Sequence, residues 1–197
     1  MFSFTRLRGA DPTLGVEMSS TGEVACYGHT AHEAFLQSLL AANFKLPEKN
    51  RSILLSIASK QILQEFAPAA VILNKLGYTL YGTEGTAAYY NSKHNLDLIT
   101  LTKPKEEDDV GDGSSLKEIK SEKVDLLINI SDGTNVKGEI TAGYYFMRRA
   151  SVDFGVSLIT NIKCAIMFAE AMERGHDKIR TKHIKDFYEL PTIGWTD

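Results

Sequence analysis

The chain has 197 residues, 43% of them hydrophobic and 24% charged, which excludes wholesale disorder and points to one domain, or one domain plus an appendage. With 22 basic against 25 acidic side chains the net charge is −3, which excludes a generic nucleic-acid binder built to neutralise phosphates. No apolar run approaches the ~18 residues of a membrane span, and residues 1–8 lack the apolar core of a signal peptide, so a soluble cytoplasmic protein without a membrane partner is expected.

Residues 1–50 differ from the rest. Turn formers dominate up to Val24, and one helix is predicted over 30–42, with Thr30 as N-cap, Glu33 in its first turn and Phe35, Leu39 and Leu40 at helical spacing. Residues 46–50 read as a linker. A lone amphipathic helix cannot bury its own apolar face, so it must pack on the body or on something outside this chain.

From Arg51 onward strands and helices alternate. The apolar run 53–57 predicts a strand buried on both faces. Ile62, Phe66, Leu73 and Leu76 follow at helical spacing with Gly77 as the cap; Pro68 should lie near the start of that helix or bend it. A second strand is predicted at 78–81, a helix over 84–93 and a third strand at 97–101. Residues 103–115 read as an exposed acidic loop, 116–121 as a short helix and 124–130 as the strongest strand. A polar loop over 131–142 precedes a helix at 143–154, a strand at 156–160, a helix at 162–173 and a last short helix at 182–188. Five apolar strands joined by helical crossovers make an α/β domain with a parallel sheet. Periodicity does not give the strand order.

In such a sheet, ligands bind beyond the carboxyl ends of the strands. Those ends carry Ser56, Ser59 and Lys60; Thr83, Gly85 and Thr86; Thr102 and Lys103; Asn129, Ser131 and Asp132; and Thr160 and Asn161. Thr83, Gly85 and Thr86 open a helix with hydroxyls and backbone N–H groups, the chemistry of a phosphate cradle, which Lys60 and Lys103 would neutralise. Each hydroxyl alone is an ordinary helix cap. In the tandem Arg148-Arg149 one arginine is expected to pair with a carboxylate such as Asp153. The five histidines form no metal-binding pair, and no nucleophile elbow or P-loop is present, so neither a catalytic residue nor a metal ligand is assigned. Cys26 and Cys164 read as buried free thiols.

The leader run Gly9-Ala10-Asp11-Pro12 with Leu14 to Val24 resembles the end of the second ATP-grasp half of the carbamoyl-phosphate synthetase large chain. Leu54 to Ile57, Leu80 to Ala87, Leu127 to Asn129, Met147-Arg148-Arg149 with Val152-Asp153, and Leu158 to Asn161 follow in that family's order. They resemble its C-terminal regulatory domain, whose fold is shared with methylglyoxal synthase. The resemblance implies a three-layer Rossmann-like domain over 51–197, with 1–50 as the tail of the ATP-grasp half plus linker. It implies a domain that binds a phosphorylated effector and partners the ATP-grasp halves of a parent synthetase. That parent, a ligase, makes carbamoyl phosphate from bicarbonate, ammonia and ATP, with ATP and Mg bound outside this chain. The family's anion site matches Ser56, Lys60, Thr83, Thr86 and Lys103. Lys60 lies closer to Ser56 than the usual lysine, and the third-strand lysine aligns with a one-residue shift.

Relatives bind UMP or IMP, phosphoribosyl pyrophosphate, ornithine or N-acetylglutamate. The acetylglutamate-dependent branch has tryptophan where this chain has Thr102 and asparagine where it has Asp132, and an added carboxylate there opposes a dicarboxylate ligand. A phosphorylated effector such as UMP or phosphoribosyl pyrophosphate is therefore expected, as in pyrimidine-pathway enzymes; the other reading is an arginine-pathway enzyme that lacks an allosteric effector. The alternative is a catalytic methylglyoxal synthase acting on dihydroxyacetone phosphate. Its Gly-x-Met-Gly-Gly-Asp stretch is missing after the second strand, and Asp97 begins a strand rather than ending one.

Overall fold

The computed structural model describes residues 24–48, 50–106, 109–131 and 142–175. The leader up to residue 23, most of the polar loop including Asp132, and the helix expected at 182–188 lie outside the described residues.

The first helix, α1 (Ala31–Ala41), starts where its cap predicts. Thr30 Oγ1 accepts from Glu33 N–H at 3.2 Å, and Glu33 reaches back one residue further than a capping box, accepting from His29 N–H at 2.8 Å. Leu36 is only 2% exposed, and Phe35, Leu39, Phe44 and Leu46 pack on the same core. Lys45 then bonds Ser157 through its backbone N–H and C=O at 3.0 and 2.8 Å, fastening the segment after α1 to the last strand.

Five strands form one parallel sheet in the order β3-β2-β1-β4-β5. They are β1 (Ser52–Ile57), β2 (Thr79–Thr83), β3 (Ile99–Leu101), β4 (Leu126–Ile130) and β5 (Ser157–Ile159). The helices between and after them are α2 (Lys60–Lys75), α3 (Glu84–His94), α4 (Ser115–Lys120), α5 (Ala142–Asp153) and α6 (Ile162–Gly175). The chain walks outward from β1 to β3, crosses to β4 and walks outward again to β5. Right-handed crossovers therefore divide the helices between the two faces. One core holds Ile53, Leu55 and Ile57 of β1 against α1, α2, α3 and α6, with Phe66, Tyr90 and Phe168 fully buried. The other holds Leu54 and Leu127 against Ile119 of α4 and Met147 of α5. Alternate residues of a central strand serve opposite cores, which is why the run is apolar on both faces, with Ser56 as its one polar residue.

Several expectations are corrected. Pro68 lies in the interior of α2 rather than near its start. Both Pro68 and Gln64, the residue whose carbonyl loses its i+4 donor, lie on the exposed face of the helix. Gly77, at φ +79, ends the helix as expected, with Gly77 N–H to Asn74 C=O at 3.0 Å and Tyr78 N–H to Leu73 C=O at 3.3 Å. The third strand shrinks to Ile99–Leu101 because Asn91 captures the backbone of Leu98, accepting its N–H at 2.8 Å and donating to its C=O at 3.0 Å. Asp97 thus precedes the strand. At Asp125, just before β4, the N–H is taken by Ser52 Oγ at 3.1 Å. Cys164 is exposed in the first turn of α6, where its N–H caps on Asn161, and Cys26 is half-buried.

The acidic loop returns on itself: Thr102 N–H bonds Gly113 C=O at 2.8 Å and Ser115 N–H bonds Thr102 C=O at 3.1 Å. Among the described residues, no helix is long and apolar enough to cross a membrane.

Candidate functional site

Sheet register brings three of the expected residues together. Ser56 of β1 pairs with Asn129 of β4, and Leu55 pairs with Gly82 of β2, so Thr83 lies one step on, level with Ser56. By strand alternation Ser56 and Asn129 lie on the side of Leu54 and Leu127, facing α4 and α5. Ser56 and Asn129 are fully buried, and Thr83 is nearly so.

Ser56 Oγ and Asn129 Nδ2 have no hydrogen-bond partner among the described residues. A buried polar group left unsatisfied costs about 1–3 kcal/mol, so two on neighbouring strands at one sheet edge call for an explanation. Asn129 is held from its other side. Arg148 Nε donates to Asn129 Oδ1 at 2.7 Å, and Arg148 Nη2 donates to Asn129 C=O at 3.0 Å and to Ser131 Oγ at 3.3 Å. Burial lowers the Arg148 pKa from its ordinary value, with Tyr144 acting in the opposite direction; the guanidinium stays cationic. The ion pair expected of the tandem falls to Arg149, whose Nε meets Asp153 Oδ2 at 2.8 Å.

Arg148 is the functional candidate that sequence reasoning missed. A signal existed: Tyr144, Met147 and Ser151 are buried at helical spacing, and residue 148 borders that face while 149 points out. Its partner depends on strand order, which periodicity does not carry.

The start of α3 flanks this group. Thr83 holds the N-cap position, yet its side chain makes no capping bond; Thr83 Oγ1 lies 3.2 Å from Thr86 Oγ1 instead. Thr86 Oγ1 accepts from Ile57 N–H at 3.1 Å and lies 3.3 Å from Ile57 C=O, stitching α3 to the end of β1. A Cβ at Gly85 would meet nothing within 4 Å, so there is room above the first turn. The N–H groups there carry the positive end of the helix dipole. Glu84, exposed in the same turn, opposes it.

Lys103 Nζ sits 3.4 Å from the centroid of the Tyr144 ring, a cation–π contact. The loop can approach because residue 143 is glycine: a Cβ there would stand 2.7 Å from Pro104 C=O and 2.8 Å from Lys103 Cε. Lys60 is exposed at the first position of α2. Ser59 caps that helix, accepting from Ile62 N–H at 3.3 Å. Asn161 caps α6, accepting from Lys163 and Cys164 N–H at 2.9 and 3.2 Å, and Thr160 is exposed beside it. Those hydroxyl and amide groups at 59 and 161 are committed to helix starts. A cavity of about 160 Å³ lies at the opposite edge of the sheet, lined by Lys45, Asp125 and Phe154 among others, and shares no residue with this group.

Residues 65–160 match the family described as "MGS-like domain". Over 173 residues the chain is 45% identical to the Multifunctional protein pyr1-3 of Dictyostelium discoideum, covering 87% of this chain and 8% of that protein. It is 38% identical over 177 residues to the mitochondrial carbamoyl-phosphate synthase (ammonia) of Aquarana catesbeiana, covering 90% of this chain and 11% of that one. A solved structure of methylglyoxal synthase from Elizabethkingia anophelis NUHP1 aligns with a TM-score of 0.45 at 12% identity, over 75% of this chain and 95% of that one. The chain therefore spans only about a tenth of the length of the curated relatives it matches.

Proposed function

From the premise that residues 65–160 belong to the MGS-like domain family, we propose that this chain is the allosteric, effector-binding region of a carbamoyl-phosphate synthase. Residues 1–50 would be the tail of an ATP-grasp half, and the effector a phosphorylated small molecule such as UMP or phosphoribosyl pyrophosphate. The carrying observation is the pair of buried, unpartnered polar groups, Ser56 Oγ and Asn129 Nδ2, beside a helix start that no side chain caps. A ligand with a phosphate and further oxygens answers both features: the phosphate takes the N–H groups of α3, and another oxygen takes Asn129. Lys103 stands near the first turn of α5 to neutralise charge.

Regulation follows from differential affinity: an effector that binds one conformer of the synthetase better shifts the whole protein towards it. Asp132, two residues past β4 in sequence, disfavours a dicarboxylate effector and favours the pyrimidine-pathway reading, with the protein in the cytoplasm. The position of Asp97 argues against a methylglyoxal synthase. It precedes β3, at the amino-terminal edge, whereas Thr83 and Asn129 lie towards the carboxyl ends of their strands.

The test is thermal melting of the 197-residue chain with UMP, phosphoribosyl pyrophosphate or inorganic phosphate. At 100 times its dissociation constant a ligand adds about 2.7 kcal/mol of stability. A chain that none of the three stabilises does not have this function.

A further inference from the structure

Arginine carries only donors, so the Asn129 side-chain atom 2.7 Å from Arg148 Nε must be the carbonyl oxygen. The amide is then fixed in one of its two orientations, and Arg148 Nη2 pins the same residue again through its backbone C=O at 3.0 Å. What remains is an –NH₂ group, turned away from the guanidinium and fully buried. It has no described partner, and the residue paired with it on β1, Ser56, is unpartnered too. Without the arginine the amide could turn over and offer either an oxygen or a nitrogen. With it, only donors are offered.

We infer that Arg148 is a positioning residue that locks the Asn129 amide so that this end of the site reads a hydrogen-bond acceptor, an oxygen of the effector's sugar or base, and not a donor. The inference rests on the proposed effector-binding function and adds to it the chemistry of one subsite. The same guanidinium also holds Ser131 Oγ at 3.3 Å, so the lock joins the end of β4 to the chain that follows it. A lysine at 148 keeps the charge but offers a single donor centre, too few to hold Oδ1 and the backbone carbonyl together in the fork geometry.

The experiment uses the full 197-residue chain with UMP and inorganic phosphate as probes. In ¹⁵N spectra the Asn129 side-chain amide, identified by its loss in Asn129→Asp, should shift when UMP is added and much less with phosphate alone. By calorimetry Arg148→Met should weaken UMP about tenfold and phosphate less than about twofold, and Arg148→Lys should recover only part of the loss. An Asn129 amide in the parent that ignores saturating UMP overturns the inference, even if no variant folds. So does an Arg148→Met protein with an unchanged ratio of UMP to phosphate affinity. If the parent binds neither probe, the effector-binding function falls and the inference with it, an outcome distinct from binding without Asn129.

Discussion

Thr83 and Thr86 sit about one helical turn apart and are bonded differently. Thr86 Oγ1, buried, accepts from Ile57 N–H, so Thr86→Val should cost about 1–3 kcal/mol in a denaturant melt whatever ligand is present. Thr83 makes no capping bond, so Thr83→Ala should leave the melt within about 1 kcal/mol of the parent while weakening phosphate. A large melting loss in Thr83→Ala would reverse these roles. Glu84 in the same turn works against an anion, so Glu84→Gln should tighten phosphate by about twofold to threefold at low salt. Unchanged or weaker binding would place the anion elsewhere. Tyr90 is a separate case: its hydroxyl donates to Leu63 C=O at 3.0 Å, and burial first, then Tyr89, pushes its pKa well up. A raised phenol pKa in the folded chain means stability that is complete below about pH 10 and lost as the pH rises further. Tyr90→Phe should cost about 1 kcal/mol at neutral pH through the lost hydrogen bond and flatten the alkaline decline only in part, because Tyr78 is raised as well, chiefly by burial.

Elements were legible in proportion to how far their own residues decide them. The run at 53–57 is apolar on both faces and could only be a central strand, and Thr30 with Glu33 marks the start of α1 to the residue. The start of the third strand was not legible, because Asn91, seven residues before Leu98, takes the backbone of Leu98 away from the ladder. Pro68 misled for the opposite reason. Its cost is intrinsic, but at this position it falls on the exposed face of the helix, which sequence alone does not reveal. Pro68→Ala should thus stabilise the chain by about 1–2 kcal/mol, the helix gain outweighing the unfolded-state entropy that proline removes; a destabilised variant would mean the proline is needed as it stands. Of the candidate site, Ser56, Thr83 and Asn129 were legible from the rule about strand ends. Arg148 was not, since its partner lies on a strand whose place in the sheet no periodicity gives.

At the scale of the whole molecule, two cores on opposite faces of one sheet meet at β1 and β4, where the candidate site lies. The α4–α5 side holds Arg148 and Tyr144, and the other side holds α3 with its open first turn, so the proposed effector at the sheet edge would touch both layers at once. A bound effector can then bias how the layers sit, and by linkage the layers bias the effector. The α1 helix belongs to this unit: it packs on α6, and Leu36→Ala should cost about 2–4 kcal/mol. An unchanged melt would mean that α1 is not part of the cooperative fold. The most direct test of the central claim is calorimetry of the 197-residue chain with UMP and with N-acetylglutamate, at low and at raised salt. UMP should bind at least about tenfold more tightly, a gap of about 1.4 kcal/mol, and should weaken as salt screens its phosphate. Binding of N-acetylglutamate without binding of UMP would exclude a phosphorylated effector at this site.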